Sequence, residues 1–211
     1  MARFKVFIAE SNNPLDFYLG KLDGYAANEI LKVRRIASRY RIVFDLDMFR
    51  RAIRDAVKFE ADIFHLSCHG DAEGVDLADG SSLSWEELAE EFAPLASVDR
   101  ILVNSSCQGA HKGIATAFRE APVRFGYLCG SVAEDGVAYT DSCLAWSILY
   151  NILASKESIS RRVFQEAIDK VNGAVSGDFV YRRWDTKEGR YLVYPKQSPD
   201  VLAALYSAAA N

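Results

Sequence analysis

Ile63-Phe64-His65-Leu66-Ser67-Cys68-His69-Gly70 and Ile101-Leu102-Val103-Asn104-Ser105-Ser106-Cys107-Gln108-Gly109 are the stretches whose reading decides the fold. Each is a short, nearly continuous apolar run of the kind found in a strand buried on both faces, and each stops abruptly at a reactive side chain close to glycine. In an open α/β sheet, sites form outside the carboxyl ends of parallel strands. Two such strands lying side by side would present the His69 imidazole and the Cys107 thiol on one edge, and a thiol beside a base is an activated nucleophile.

Outward from these runs, the chain alternates strand and helix patterns. Phe4 to Ala9 reads as a first buried strand, closed by the turn cluster Glu10-Ser11-Asn12-Asn13-Pro14. Asp16 to Ile36 reads as helix despite Gly20 and Gly24, and Tyr40 to Leu46 as a second strand. Phe49, Ala52, Ile53, Ala56 and Val57 fall at helical spacing. After the His69 strand, Asp79-Gly80 is a hairpin signal inside residues 71–82, predicting a small β-ribbon. Ser84-Trp85-Glu86-Glu87 is a capping box opening a helix to about Phe92.

Beyond Cys107 the pattern predicts a helix near Gly113–Glu120, a strand over Val123–Val132 and a helix over Asp141–Ala154. That last helix is apolar almost all round and so buried between layers. An amphipathic helix over Ser160–Val171 and a hairpin or edge pair over Phe179–Trp184 and Arg190–Tyr194 follow, with a short helix or frayed end at Asp200–Ala209. The alternation predicts an α/β fold: a mostly parallel central sheet of about six strands, helices on both faces and a ribbon after the His69 strand. Residues 1–211 are expected to form a single domain.

Composition narrows the function. Half of the 211 residues are apolar, 26% are charged and the net charge is −4, without the basic surplus of nucleic-acid binders. The four cysteines lack metal-type or disulfide-type spacing, and with no secretory signal this points to a reducing, cytoplasmic setting. No run is long enough to span a membrane. Neither a cofactor nor a metal is expected. His111 follows Cys107 at Cys-x-x-x-His spacing, but no further ligand matches it or Cys68.

The two strand ends resemble those of the caspase-type (clan CD) cysteine peptidases, most of all the CHAT branch, which is also similar to separase. The residues that carry the resemblance are His65-Leu66-Ser67-Cys68-His69-Gly70 and Asn104-Ser105-Ser106-Cys107, together with Gly74…Leu77-Ala78-Asp79-Gly80…Leu83-Ser84-Trp85-Glu86-Glu87-Leu88 and Gly130-Ser131-Val132-Ala133-Glu134-Asp135 before the Trp146 helix. The similarity covers about residues 1–155. It departs at Ser106, where caspases proper usually carry alanine. The resemblance implies a caspase-like fold and a peptidase dyad of Cys107 and His69 without an obligatory third acidic residue. It also implies an oxyanion hole from the backbone amides of Gly70 and Cys107, and an acid in the region after residue 130 that selects a basic P1 residue. Glu134, Asp135 and Asp141 are the acids found there.

The residues themselves support a matching chemistry. Cys107 ends its apolar run before a polar turn, where amides at a helix N-terminus would activate a thiol. His69 precedes Gly70, at a point where backbone approaches substrate closely. His65, deep in its strand, reads as a hydrogen-bonded core histidine. Tyr181-Arg182-Arg183-Trp184 reads as an exposed edge strand. The leading expectation is an endopeptidase acting on protein substrates and activated by a protein partner or oligomer, with the loops at 71–82 and 133–141 as the parts to be ordered. One alternative is a non-catalytic adaptor of caspase fold. The other is a nucleotide-sensing TIR-like or flavodoxin-like domain, which the absence of a Gly-x-Gly-x-x-Gly loop after the first strand disfavours.

Overall fold

A computed structural model describes residues 4–195. The predicted segment at 200–209 lies outside the described residues. In chain order the elements are β1 (Lys5–Ser11), α1 (Pro14–Tyr18), α2 (Asp23–Val33), β2 (Ala37–Ile42), α3 (Leu46–Phe59), β3 (Ile63–Gly70), β4 (Gly74–Asp76), β5 (Ser82–Ser84), α4 (Trp85–Glu91), β6 (Ile101–Asn104), α5 (Lys112–Glu120), β7 (Tyr127–Ser131), α6 (Tyr139–Ala154), α7 (Arg161–Asn172), β8 (Phe179–Asp185) and β9 (Arg190–Tyr194).

The main sheet runs β2-β1-β3-β6-β7-β8-β9, parallel as far as β7 and antiparallel in the last two strands. Its helices cover both faces. On one face α3, α4 and α5 enclose Phe49, Phe64, Trp85, Leu88, Phe92 and Phe118; on the other, α2, α6 and α7 pack Leu31, Trp146, Leu149 and Phe164 against Val6, Ile8 and Val103. Alternation along β3 sends Phe64, Leu66 and Cys68 to the first face and leaves His65, Ser67 and His69 for the second. The ribbon leaves the end of β3, with His69 paired to Asp76 and Gly70 to Val75.

The sheet order places the switch point between β1 and β3, whose outgoing connections lead to opposite sides: β1 feeds β2, and β3 leads towards β6. Crevices at the carboxyl ends of strands form at such points. The ends of β1, β3 and β6 therefore frame the site.

Several local boundaries differ from the pattern reading, each for a visible reason. The helix expected over 16–36 is two: Gly20 takes a left-handed φ of 69° and turns the chain between α1 and α2. The second strand lies earlier than Tyr40–Leu46, because Asp45 caps α3 by accepting from the Met48 amide at 2.8 Å. The helix expected from Asp141 starts two residues earlier, at Tyr139, with Ala138 at its N-cap and no side-chain bond there. The capping box at Ser84 and Glu87 forms as its spacing predicts.

Phe92 is fully buried, with its ring centroid 5.0 Å from that of Phe64, 5.5 Å from Phe49 and 5.4 Å from Phe125. Phe92→Ala removes the centre of this aromatic cluster and is expected to cost about 3–5 kcal/mol. The drop should appear in the urea midpoint with an unchanged slope, since the fold itself is retained.

Candidate active site

His69 ends β3 and Cys107 lies in the turn that follows β6. The two strands are hydrogen-bonded neighbours, and their ladder continues to their tips, where the Ser105 amide donates to the Leu66 carbonyl at 2.7 Å. Gly70 makes the close approach possible: a Cβ there would lie 2.6 Å from the Gly74 carbonyl oxygen and 2.9 Å from Ser106 Cβ. The backbone of residues 69–70 thus packs directly on the chain entering Cys107, and His69 and Cys107 line one cavity.

The turn carrying Cys107 is pinned from three sides. Asn104 Nδ2 donates to the Gly109 carbonyl at 3.1 Å, the Ala110 amide donates to the Ser131 carbonyl at 2.9 Å, and Arg182 Nε donates to the Ala110 carbonyl at 2.7 Å. Arg182 is therefore part of the site's support and not a free edge-strand cation. Burial lowers its pKa to about 10, which leaves it charged at neutral pH. The helix expected near Gly113–Glu120 begins at Lys112, five residues beyond Cys107, where His111 Nδ1 accepts from the Gly113 amide at 3.3 Å. Helix-terminal amides consequently do not surround the thiol. Gly136, with φ of 80°, packs against it instead, and a Cβ there would lie 3.2 Å from Cys107 Sγ.

The cavity, about 220 Å³, runs from partly exposed groups to buried ones. His69 and Cys107 line it together with Asp16 and Lys21, while Asp23, Trp146 and Phe179 form its buried part. His69 Nε2 lies 2.7 Å from Asp16 Oδ2, and Lys21 Nζ lies 3.2 Å from Asp16 Oδ1. Burial works to raise the Asp16 pKa, but the hydrogen bonds from His69 and Lys21 outweigh it and hold this carboxyl below its ordinary range.

Asp23, only 5% exposed, accepts from the Ser67, Ser105 and Ser142 hydroxyls and from the Gly24 amide. Trp146 Nε1 donates to both Ser105 and Ser142, at 2.5 and 3.0 Å. Ser67 also donates to Glu10 at 3.1 Å, so two buried carboxylates share one hydroxyl. Among the described residues, no side-chain nitrogen of Lys, Arg or His lies within 4.0 Å of a carboxylate oxygen of Asp23 or Glu10. Burial, reinforced by the Asp23 charge, pushes the Glu10 carboxyl up to about 7 against the pull of hydrogen bonds from Tyr40, Gly24 and Ser67.

Glu134, Asp135 and Asp141 are not among the residues lining the cavity; the first two are exposed and Asp141 is half-buried. The acids that do line it, Asp16 and Asp23, were not singled out from the sequence, although both stand among the polar residues that follow β1. His65 is fully buried, with Nδ1 2.8 Å from the Tyr150 hydroxyl and its ring edge-on to Trp146. Burial holds it neutral. Among the described residues no group of three His, Cys, Asp or Glu side chains could hold a metal ion, and no helix is long and apolar enough to cross a membrane.

No family model matches the sequence, and no curated protein matches it. Among solved structures, the chain is similar to iotapain, a secreted C11 cysteine protease from Bacteroides thetaiotaomicron, at 12% identity and a TM-score of 0.51. The match covers 86% of this chain and 66% of the iotapain chain, just under two thirds of that protein's length. The fold is caspase-like: a mostly parallel central sheet, flanked by helices on both faces, of the kind found in clan CD.

The raised Glu10 carboxyl makes stability depend on pH. Below the ordinary carboxylate range, folded and unfolded chains both hold the proton; from there to about pH 7 only the folded chain does. Glu10 therefore contributes stability on the acid side that is lost as pH rises towards 7, up to about 3 kcal/mol. Urea midpoints from about pH 5 to about pH 8 should fall in the wild type and fall less in Glu10→Gln; parallel curves would refute this assignment.

Proposed function

We propose that the protein is a cysteine endopeptidase that cleaves after a basic residue. The observation that carries this reading is the shared cavity, which has a thiol and an imidazole towards its exposed end and a buried carboxylate without a cationic partner towards its other end. A buried charge is costly unless paired, so a cavity ending at Asp23 favours a ligand that brings the missing cation. Trp146, Phe179 and Val137 supply apolar wall for the aliphatic stem of lysine or arginine. Asp23 thus takes the role of P1 acid for which Glu134, Asp135 and Asp141 are the sequence candidates.

In the proposed reaction the Cys107 thiolate attacks the carbonyl carbon after P1, and the carbonyl oxygen becomes an oxyanion. The backbone amides of Gly70 and Cys107 would receive it, a role supported by the close packing of Gly70 on Ser106, the residue before Cys107. His69 protonates the departing amine as the C–N bond breaks, then takes a proton from the water that hydrolyses the thioester and returns Cys107 to its starting state. Activation by a partner or signal acts through the loop over 133–141, because Gly136 sits on the sulfur and Val137 in the cavity wall. Four free cysteines suit a reducing compartment and thus the cytoplasmic setting.

Peptidyl acyloxymethyl ketones with lysine, arginine, leucine or aspartate at P1 test the reading. The lysine and arginine probes are expected to label Cys107, with labelling lost in Cys107→Ala and His69→Ala. Asp23→Asn is expected to cut kcat/KM on basic substrates by about 10²-fold, the scale of losing a desolvated charge partner. Labelling by leucine or aspartate alone would sink the P1 assignment, and no labelling with or without candidate partners would favour the adaptor reading.

A further inference from the structure

We propose that Asp16 is the positioning residue of the site: its carboxylate holds His69 in the tautomer that carries the proton on Nε2, leaving Nδ1 as the base. The dyad thereby becomes an Asp–His–Cys triad whose acid comes from the first connection of the chain. This rests on the peptidase reading and adds a residue to it.

The geometry around Asp16 is built rather than incidental. Asn13 caps the five-residue α1 by accepting from the Asp16 amide at 3.0 Å, and its own Nδ2 donates to Asp16 Oδ2 at 2.6 Å. That same oxygen lies 2.7 Å from His69 Nε2, while Lys21 Nζ holds the other oxygen at 3.2 Å. The Asp16 side chain is 12% exposed and that of His69 is 48% exposed. The pair is therefore anchored on the acid's side, and the imidazole is the movable member.

The neighbours decide the proton. Asn13 Nδ2 also lies 2.9 Å from His69 Nε2, so that nitrogen faces a carboxylate oxygen and an amide group together. With Asp16 ionised, as its lowered pKa requires, a lone pair on Nε2 would point at an anion. An Nε2–H donating to Asp16 removes that repulsion; the Asn13 amide, a donor, then directs its hydrogen to Asp16 Oδ2 at 2.6 Å rather than to the ring, and the partner on one ring nitrogen sets the state of the other. The carboxylate also stabilises the imidazolium that forms once the thiol proton reaches His69, without itself taking that proton.

A merely structural Asp16, serving only to fix α1, would leave the imidazole's proton distribution unchanged. The experiment therefore reads both. Long-range ¹H–¹⁵N spectra of His69 in the full chain report its tautomer, and steady-state kinetics on a lysine-P1 substrate report turnover, for wild type, Asp16→Asn and Asp16→Glu. Expected are an Nε2–H imidazole in the wild type and a shift towards Nδ1–H in Asp16→Asn, whose amide can donate to Nε2. That variant should lose about 10²-fold or more in kcat with little change in KM, and Asp16→Glu should recover part of the loss. An Nδ1–H imidazole in the wild type overturns the proposal, as does an Asp16→Asn variant with unchanged tautomer or unchanged kcat. Should Asp16→Asn fail to fold, the wild-type tautomer alone decides. If Cys107 labels with no probe, the peptidase reading falls, while the spectra still judge the Asp16–His69 assignment separately.

Discussion

The hydrogen-bonded knot around Asp23 and Glu10 is the constraint on which the second face of the sheet depends. Glu10 at the end of β1 accepts from the Gly24 and Tyr25 amides, capping α2 from outside that helix, and from the Tyr40 hydroxyl on β2. Asp23 collects hydroxyls from β3, from the turn after β6 and from α6. Two carboxylates thus tie together the three parallel strands that frame the site and both helices that roof it. An apolar knot could hold the same elements by packing, but it could not present a charge to the cavity. Burial beside a second carboxylate pushes the Glu10 carboxyl up to about 7 and favours its neutral form.

The rest of the site is held by backbone bonds at the strand tips. Parallel strands expose their last carbonyls and amides at one edge, and here those groups are consumed by neighbouring turns: Ser105 by Leu66, Ala110 by Ser131, and the Ala110 carbonyl by Arg182. Such a frame can hold a thiol in one place without a helix behind it. It explains why the antiparallel strand β8, which carries none of the proposed catalytic groups, still bears on the Cys107 turn through Arg182.

Much of this was legible in the sequence where the signal is local. The apolar runs ending at His69 and Cys107, the ribbon turn at Asp79-Gly80 and the capping box at Ser84 each announce themselves within a few residues. The seven-strand path of the main sheet, against about six expected, follows from counting the last hairpin as two strands of it. The acids of the site left no such trace. Asp23 bonds to Ser67, Ser105 and Ser142, partners separated from it by 44, 82 and 119 positions, and no periodicity marks an aspartate that will be buried among serines. The pattern over 16–36 also concealed them, because a single long helix would have carried Asp16 and Asp23 on one rigid rod. The left-handed Gly20 breaks that rod and lets each acid reach a different partner.

That break separates two carboxylates that begin as equivalent residues and end with opposite demands. Asp16 lies between a half-exposed lysine and a half-exposed imidazole, and both partners favour its ionised form. Asp23 is ringed by the hydroxyls of Ser67, Ser105 and Ser142, with no cationic side-chain nitrogen within 4.0 Å among the described residues. Environment alone sets the difference, in the way that paired carboxylates in other active sites divide their roles. An acid that already has its counter-ion can orient a base but has little left to offer a substrate. An acid that lacks one is the group that gains most when a cationic side chain arrives, because the cost of its burial is already met by the fold. The short connection between β1 and α2 therefore carries both acids but commits them to separate partners, Asp16 to His69 and Asp23 to Ser67, Ser105 and Ser142.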